Sequence, residues 1–262
     1  MKKAAVFLIA SIIGCGGTGD SGGGGSTTNA ATGKTFNYGT PAAASGSQTQ
    51  AVTRQFGSAG SITAASALGT VDVTSLTTAV LGSSASGFLR SPPEALTLGG
   101  ASPALSQGCF TETGTTVTFT NCTIDASSGG TTVIETINGT LSATNSDSSW
   151  DLTYTVHESD SSFSIDESIR LSGSLHVTSS SIQGTMLLDG KVSATSLGSF
   201  EVVEAVILDL GYATPFCINS GTLEVKRVWV AKPANASGPA YADQGGKMTW
   251  TGCNQATLAH GT

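Results

Sequence analysis

The chain is poor in charge: Asp, Glu, Lys and Arg make up 11% of its 262 residues, against about a quarter in an ordinary soluble domain. The charge that is present has the wrong sign for nucleic acid. Acids outnumber bases 18 to 11, for a formal net charge of -7, and there is no basic stripe to meet phosphates. Long apolar runs are missing too. The one candidate, Ala4 to Ile13, is 10 residues long, where a membrane-spanning helix needs about 20, so no transmembrane helix is expected. Metal-ligand spacing is absent among the cysteines at 109, 122, 217 and 253, and no histidine adjoins them. Zinc is therefore disfavoured, and neither a metal nor any other cofactor is expected.

The short apolar run has a use of its own. Lys2 and Lys3 precede it and small Gly14 follows it, which suits a signal peptide over residues 1–14 that is cut away on export. The junction Ile12-Ile13-Gly14-Cys15 resembles the lipobox of bacterial lipoproteins, in which an apolar pair and a small residue precede the cysteine that takes the lipid. That resemblance covers the first 15 residues. It implies several acyl chains on Cys15, and two already give stable membrane anchoring. Residue 16 is Gly and not Asp, which by the sorting rule of such lipoproteins resembles outer-membrane cargo. Removal of Lys2 and Lys3 leaves 9 bases against 18 acids, a charge of 9 - 18 = -9.

Residues 15–35 are almost all Gly, Ser, Thr, Ala and Asn without apolar periodicity and read as a tether. Within it Gly19-Asp20-Ser21-Gly22-Gly23 spells the string around the nucleophile of chymotrypsin-like proteases. That chemistry needs a histidine and an aspartate held on a rigid scaffold, and a tether six residues from the lipid holds nothing rigid. The match is compositional. Residues 36–262 are enough for one domain. In an oxidising compartment its four cysteines argue for disulfides. Three pairings are possible; joining nearest neighbours, each flanking a plausible strand, favours Cys109 with Cys122 and Cys217 with Cys253.

Val73, Leu76 and Val80 recur at helical spacing and Gly82 follows, which predicts one short helix near 72–81. From Cys109 the period becomes two. Trp150, Leu152, Tyr154 and Val156 form one stripe, and Phe163, Ile165, Ile169 and Leu171 another, as in half-buried strands. Facing numbers that sum to 321 would set Trp150 against Leu171, Leu152 against Ile169 and Asp151 against Arg170, with Glu167 opposite Tyr154 and a turn at Ser159 to Ser162. A weak repeat places Gly139, Gly173, Gly190 and Gly221 at spacings of 34, 17 and 31, near multiples of a strand plus a turn. Each glycine stands where an apolar side chain would point inward, so the sheet should curl. The expected fold is all-β: a single curved antiparallel meander, a partly closed barrel or roll, with one short N-terminal helix. A parallel β-helix is the rival, but its coils carry shorter strands. Strand-rich bacterial lipoproteins of no assigned activity resemble this outline.

Three glutamates stand in the pattern apolar-x-Glu-x-apolar: Glu135, Glu167 and Glu204. In a strand each shares a face with its apolar neighbours, and an inward carboxylate must be paired, hydrogen-bonded or wet. A concave face bearing carboxylates would suit a cation, a sugar or acid–base work. Alternatively they are structural, at rims or paired with Tyr154 or Arg227, unless a bulge at Lys226 and Arg227 turns Arg227 away. His157 and Glu158 near Asp160 resemble a metal corner, but strand neighbours point to opposite faces; His176 should be solvated. The reading that follows is a membrane-anchored exported lipoprotein with a non-enzymatic structural or binding domain. Its partner is the membrane, with a protein, a glycan or a small apolar ligand left open. A surface glycan hydrolase using the inward glutamates is the alternative.

Overall fold

The alternating half of the chain folds into long strands because every second residue can bury its side chain while the others stay wet. The computed structural model describes residues 28–56, 73–83, 108–195, 198–213, 217–233 and 236–262. Its strands are β1 (Ala42–Ala43), β2 (Phe110–Thr113), β3 (Thr116–Asp125), β4 (Thr132–Ala143), β5 (Asp147–Ser159), β6 (Ser164–Val177), β7 (Ser181–Ala194), β8 (Gly198–Ala213), β9 (Cys217–Ala231), β10 (Gln244–Gly252) and β11 (Gln255–Gly261). All belong to one antiparallel sheet in the order β1-β11-β10-β9-β8-β7-β6-β5-β4-β3-β2. From β2 to β11 each strand pairs with its successor in the chain, and β1 alone is out of order, added beyond β11. The sheet is open, as a curved meander should be, with edges at β1 and β2.

Curvature follows from the core. One cluster of buried side chains runs from Phe119 on β3 to Leu258 on β11 and takes in Val52, Phe56, Leu76 and Val80 from two helices. Strands that far apart share a core only if the sheet curls around it. The helices are α2 (Gly46–Phe56) and α3 (Val73–Leu81), and they occupy the concave side. The expected helix near 72–81 is α3. α2 falls where no helix is expected from the sequence, although its start carries a reciprocal cap: Ser45 N–H donates to Gln48 Oε1 at 2.9 Å while Gln48 N–H donates to Ser45 Oγ at 3.3 Å, the Ser-x-x-Gln capping box.

A shorter helix, α1 (Thr28–Thr32), lies on the other, outer face. Ala31 and Phe36 are buried there against Val203, Ala205 and Val228. The stretch that composition assigns to a tether as far as residue 35 thus ends as a docked strap. Its backbone carbonyls explain why: Thr32 and Lys34 accept hydrogen bonds at 3.3 and 2.9 Å from Lys226 Nζ, a side chain the strap covers. The chain then runs along β11, where Gly39 N–H donates to His260 O and Ala44 N–H to Ala256 O, both at 2.9 Å. That closes off most of one edge. The other edge strand, β2, is 4 residues long and exposed throughout, and so short an edge offers little to another chain.

The β5–β6 hairpin pairs with a sum of 323 rather than 321: Trp150 faces Gly173, Leu152 faces Leu171, Tyr154 faces Ile169 and Glu167 faces Val156. A shift of two keeps every side chain on its expected face but corrects each partner. The turn is Asp160 to Phe163, not Ser159 to Ser162. Asp160 Oδ1 accepts the N–H groups of Ser162 and Phe163 at 2.6 and 3.0 Å, and those bonds, the Ser162 backbone first, hold its carboxyl below the usual carboxylate range. Two further terms favour this register. Asp147 faces His176 and His157 faces Asp166, two acid–base pairs where the other register offers one. Trp150 also gains a glycine: a Cβ on Gly173 would stand 2.8 Å from the indole.

The four repeat glycines Gly139, Gly173, Gly190 and Gly221 stand in register with the inward residues Leu152, Trp150, Ile169 and Leu210. Gly221 has φ of +94°, and a side chain there would collide with the Asp209 carbonyl on β8. Both disulfides are the local ones, Cys109–Cys122 and Cys217–Cys253, with Cα separations of 5.0 and 5.3 Å.

Candidate functional site

Neighbouring strands carry the inward residues in rows, and the rows decide which carboxylates can meet. One row reads Ile124, Glu135, Val156, Glu167, Val192, Phe200 from β3 to β8. Glu135 and Glu167 flank Val156, so two strand spacings, about 10 Å, separate their backbones. Another row reads Gly139, Leu152, Leu171, Leu188, Glu204, Arg227, Gln244. Glu204 is thus two strands from Glu167 and four residues further along, about 13 Å in the strand direction. The candidate cluster of Glu135, Glu167, Glu204 and Arg227 is two separate places.

At the first place, Glu204 and Arg227 form a fully buried ion pair, Arg227 Nε donating to Glu204 Oε1 at 2.8 Å with both side chains 0% exposed. Arg227 also donates through Nη1 to Ser83 Oγ and Gln244 Oε1, both at 3.3 Å, and through Nη2 to the Ser83 carbonyl. Ser83 lies just past α3, so the guanidinium bonds the chain at the end of that helix, a favourable place for a cation. β9 is bulged at Asn219, far before Arg227, and at Val230, where Trp229 pairs with Val202 and Ala231 with Glu201. Neither falls at Lys226 and Arg227, which pair in unbroken register with Ala205 and Glu204, and Arg227 therefore stays inward.

Around Glu135 the surroundings differ. Glu135 is 1% and Glu167 5% exposed, with Tyr154 and Glu158 buried on the same face. Burial, then the Glu135 carboxylate, with Glu167 adding to it, holds the Tyr154 phenol far above its ordinary range. Neither Glu135 Oε2 nor the Tyr154 hydroxyl has a hydrogen bond of good geometry among the described residues. These groups lie against the core, whereas glycoside hydrolysis needs two carboxyl groups about 5 to 10 Å apart with water and substrate between them.

The exposed chemistry is on the outer face. His157 Nδ1 lies 2.7 Å from Asp166 Oδ1, and His176 Nδ1 lies 2.7 Å from Asp147 Oδ1. Glu158, buried beside Glu135 and Glu167, points to the opposite face from exposed His157, as strand neighbours should. Ser146, and after it His176, hold the Asp147 carboxyl below the usual range. Each pair borders a shallow depression: one of 480 Å³ with Lys191, Ser193 and Ser199, and one of 390 Å³ with Ser149, Ser174 and Gln183. Asp151 and Arg170 stand between them as a bidentate pair at 2.7 Å, met diagonally because Asp151 directly faces Ser172. These histidine pairs were legible only through the register. Among the described residues no three His, Cys, Asp or Glu side chains converge as metal ligands, and no helix is long and apolar enough to cross a membrane. Cys15 lies outside the described residues. No family model, curated protein or solved structure matches the chain.

Proposed function

We propose that the chain is an exported lipoprotein, held at a membrane through acylated Cys15, whose β-domain binds or supports a partner and is not an enzyme. Lys2 and Lys3, the short apolar run and Ile12-Ile13-Gly14-Cys15 support the anchor, and Gly16 resembles the sorting residue of outer-membrane cargo. The observation that carries the non-enzymatic reading is the burial of the inward glutamates. Glu204 is neutralised by Arg227 with no exposed surface, and Glu135 and Glu167 are packed against the core. Acid–base chemistry on a glycan needs carboxyl groups that substrate and water can reach. What remains accessible is a hydroxyl-rich outer sheet face, which suits recognition of a protein or a glycan.

The test has two arms. In the native envelope, Cys15→Ser should move the protein from the membrane pellet to the soluble fraction in high salt, with its melting curve unchanged. A variant that still sediments refutes the anchor. The lipidated protein incubated with peptidoglycan and with surface glycans should release no reducing ends. Release that Glu135→Gln or Glu167→Gln abolishes would replace this reading with the hydrolase.

A further inference from the structure

We infer that the outer face of β9 and β10, beside the strap, is the side of the domain that lies against the anchoring membrane, with Lys34, Lys232 and Lys247 on anionic headgroups. The inference rests on the lipid-anchor reading above and adds an orientation to it.

Chain length comes first. Composition places the end of the tether near residue 35, but the docked strap begins with α1 at Thr28, whose partners are β8 and β9. Between Cys15 and Thr28 there are 28 - 15 = 13 peptide steps, which reach at most about 45 Å when fully extended. The strap is firmly seated where it lands. Ala31 is 0% exposed, Phe36 5%, and Gly245 and Gly261 leave the room that the Phe36 side chain fills, since a Cβ would stand 2.6 Å from its ring at Gly245 and 2.8 Å from its Cβ at Gly261. The Tyr38 hydroxyl donates to Glu224, and Lys34 Nζ bonds Asp243 Oδ2 at 2.9 Å. A lipid on Cys15 therefore pulls on the outer face at β8–β9 and not on a free end.

Charge points the same way. The outer face of β5 to β8 carries Asp147, Asp151, Asp166, Asp189, Glu201 and Asp209 against Arg170 and Lys191, a balance of 2 - 6 = -4. The strap with β9, β10 and the residues flanking them carries Lys34, Lys226, Lys232 and Lys247 against Glu224 and Asp243, a balance of 4 - 2 = +2 in a chain of net charge -7. Lys34 and Lys232 both act on Asp243, and Lys226 lies 3.6 Å from Glu224, so the basic groups form one patch around the strap. A membrane with anionic headgroups attracts that patch and repels the β5–β8 face. The field selects the orientation, and a tether that leaves from the neighbouring β8–β9 surface permits it. The hydroxyl-rich depressions with their histidine–aspartate pairs then face away from the bilayer, where a partner can reach them.

The lysines are their own probes. Lipidated protein is reconstituted into vesicles of phosphatidylethanolamine with phosphatidylglycerol and treated with a membrane-impermeant amine-acylating reagent. Labelling of each lysine is read by peptide mass mapping beside the Cys15→Ser protein in solution. Lys232 and Lys247 should label about threefold or more slowly on vesicles, while Lys191 on β7 keeps its solution rate. On phosphatidylcholine vesicles the protection should shrink towards the solution value; full protection there overturns the charge assignment. Co-sedimentation with uniform labelling, or with slowing at Lys191, overturns the orientation alone. Failure of the lipidated protein to co-sediment strikes the anchor reading first, and the orientation falls with it.

Discussion

Arg227 is the bulkiest side chain without exposed surface among the described residues, and it is buried because each side of its guanidinium finds an acceptor. A charge in a low-dielectric interior is tolerable only under that condition, and removing one partner strands the other. Glu204→Ala should accordingly lower stability by about 3 to 5 kcal/mol in urea denaturation. Asp151→Ala, which breaks a better-formed bidentate pair on the surface, should cost less than about 1 kcal/mol, because water and salt screen it and its side chain is half exposed. Equal losses for the two variants would show that Glu204 is wetter than its geometry implies. The pattern Val202-x-Glu204-x-Val206 already announces an inward glutamate, and Arg227 between Val225 and Trp229 announces an inward base. That Glu135 and Glu167 belong elsewhere depends on how many strands and how many residues lie between them, which no local pattern contains.

Strands and helices differ in how openly they announce themselves. Alternation marked β5 and β6, and their faces were right, but the hairpin slid by two residues because hydrophobic matching alone is nearly indifferent to a shift that preserves faces. The Asp160 turn, the histidine–aspartate pairs and the Trp150–Gly173 contact decide it. The glycines act at the same level. At Gly221 the backbone has positive φ and lies against the Asp209 carbonyl of β8, so Gly221→Ala imposes both strain and overlap. It should lower stability by about 1 to 3 kcal/mol, read from the midpoint of thermal or urea unfolding. Gly238→Ala is the comparison for backbone strain alone, since its φ is +89° with nothing within 4 Å of a Cβ. If the two cost the same, close approach of β8 to β9 plays no part in the curl.

Taken whole, the described part of the molecule is a sequential meander cross-linked by two disulfides. Cys109–Cys122 ties the short edge strand to β3, and Cys217–Cys253 ties the start of β9 to the β10–β11 turn, at sequence separations of 13 and 36. Cross-links of that span are worth about 3 and 4 kcal/mol in the chain-entropy account, as upper values. Reduction should thus lower the urea midpoint in two separable steps when each cysteine pair is replaced by serines in turn, with the larger loss at Cys217 and Cys253. Free thiols in the unreduced protein, or a peptide joining Cys109 to Cys253, would contradict the pairing.

Length, alternation and cysteine spacing were enough to anticipate an all-β meander, its α3 helix, the faces of its strands and both disulfides. Each depends on neighbours in sequence, through the period of two, the period of 3.6 and the closing of short loops. The docking of the strap, the separation of the glutamates and the charge asymmetry of the outer face depend on contacts between residues far apart in the chain. Lys226 holds Thr32 and Lys34 across 194 and 192 residues. Such contacts form only once the sheet has curled and set its register. The same 15–35 stretch that composition reads as polar and featureless is partly ordered by a surface built nearly two hundred residues later, because burial is a property of what a side chain meets and not of the side chain alone.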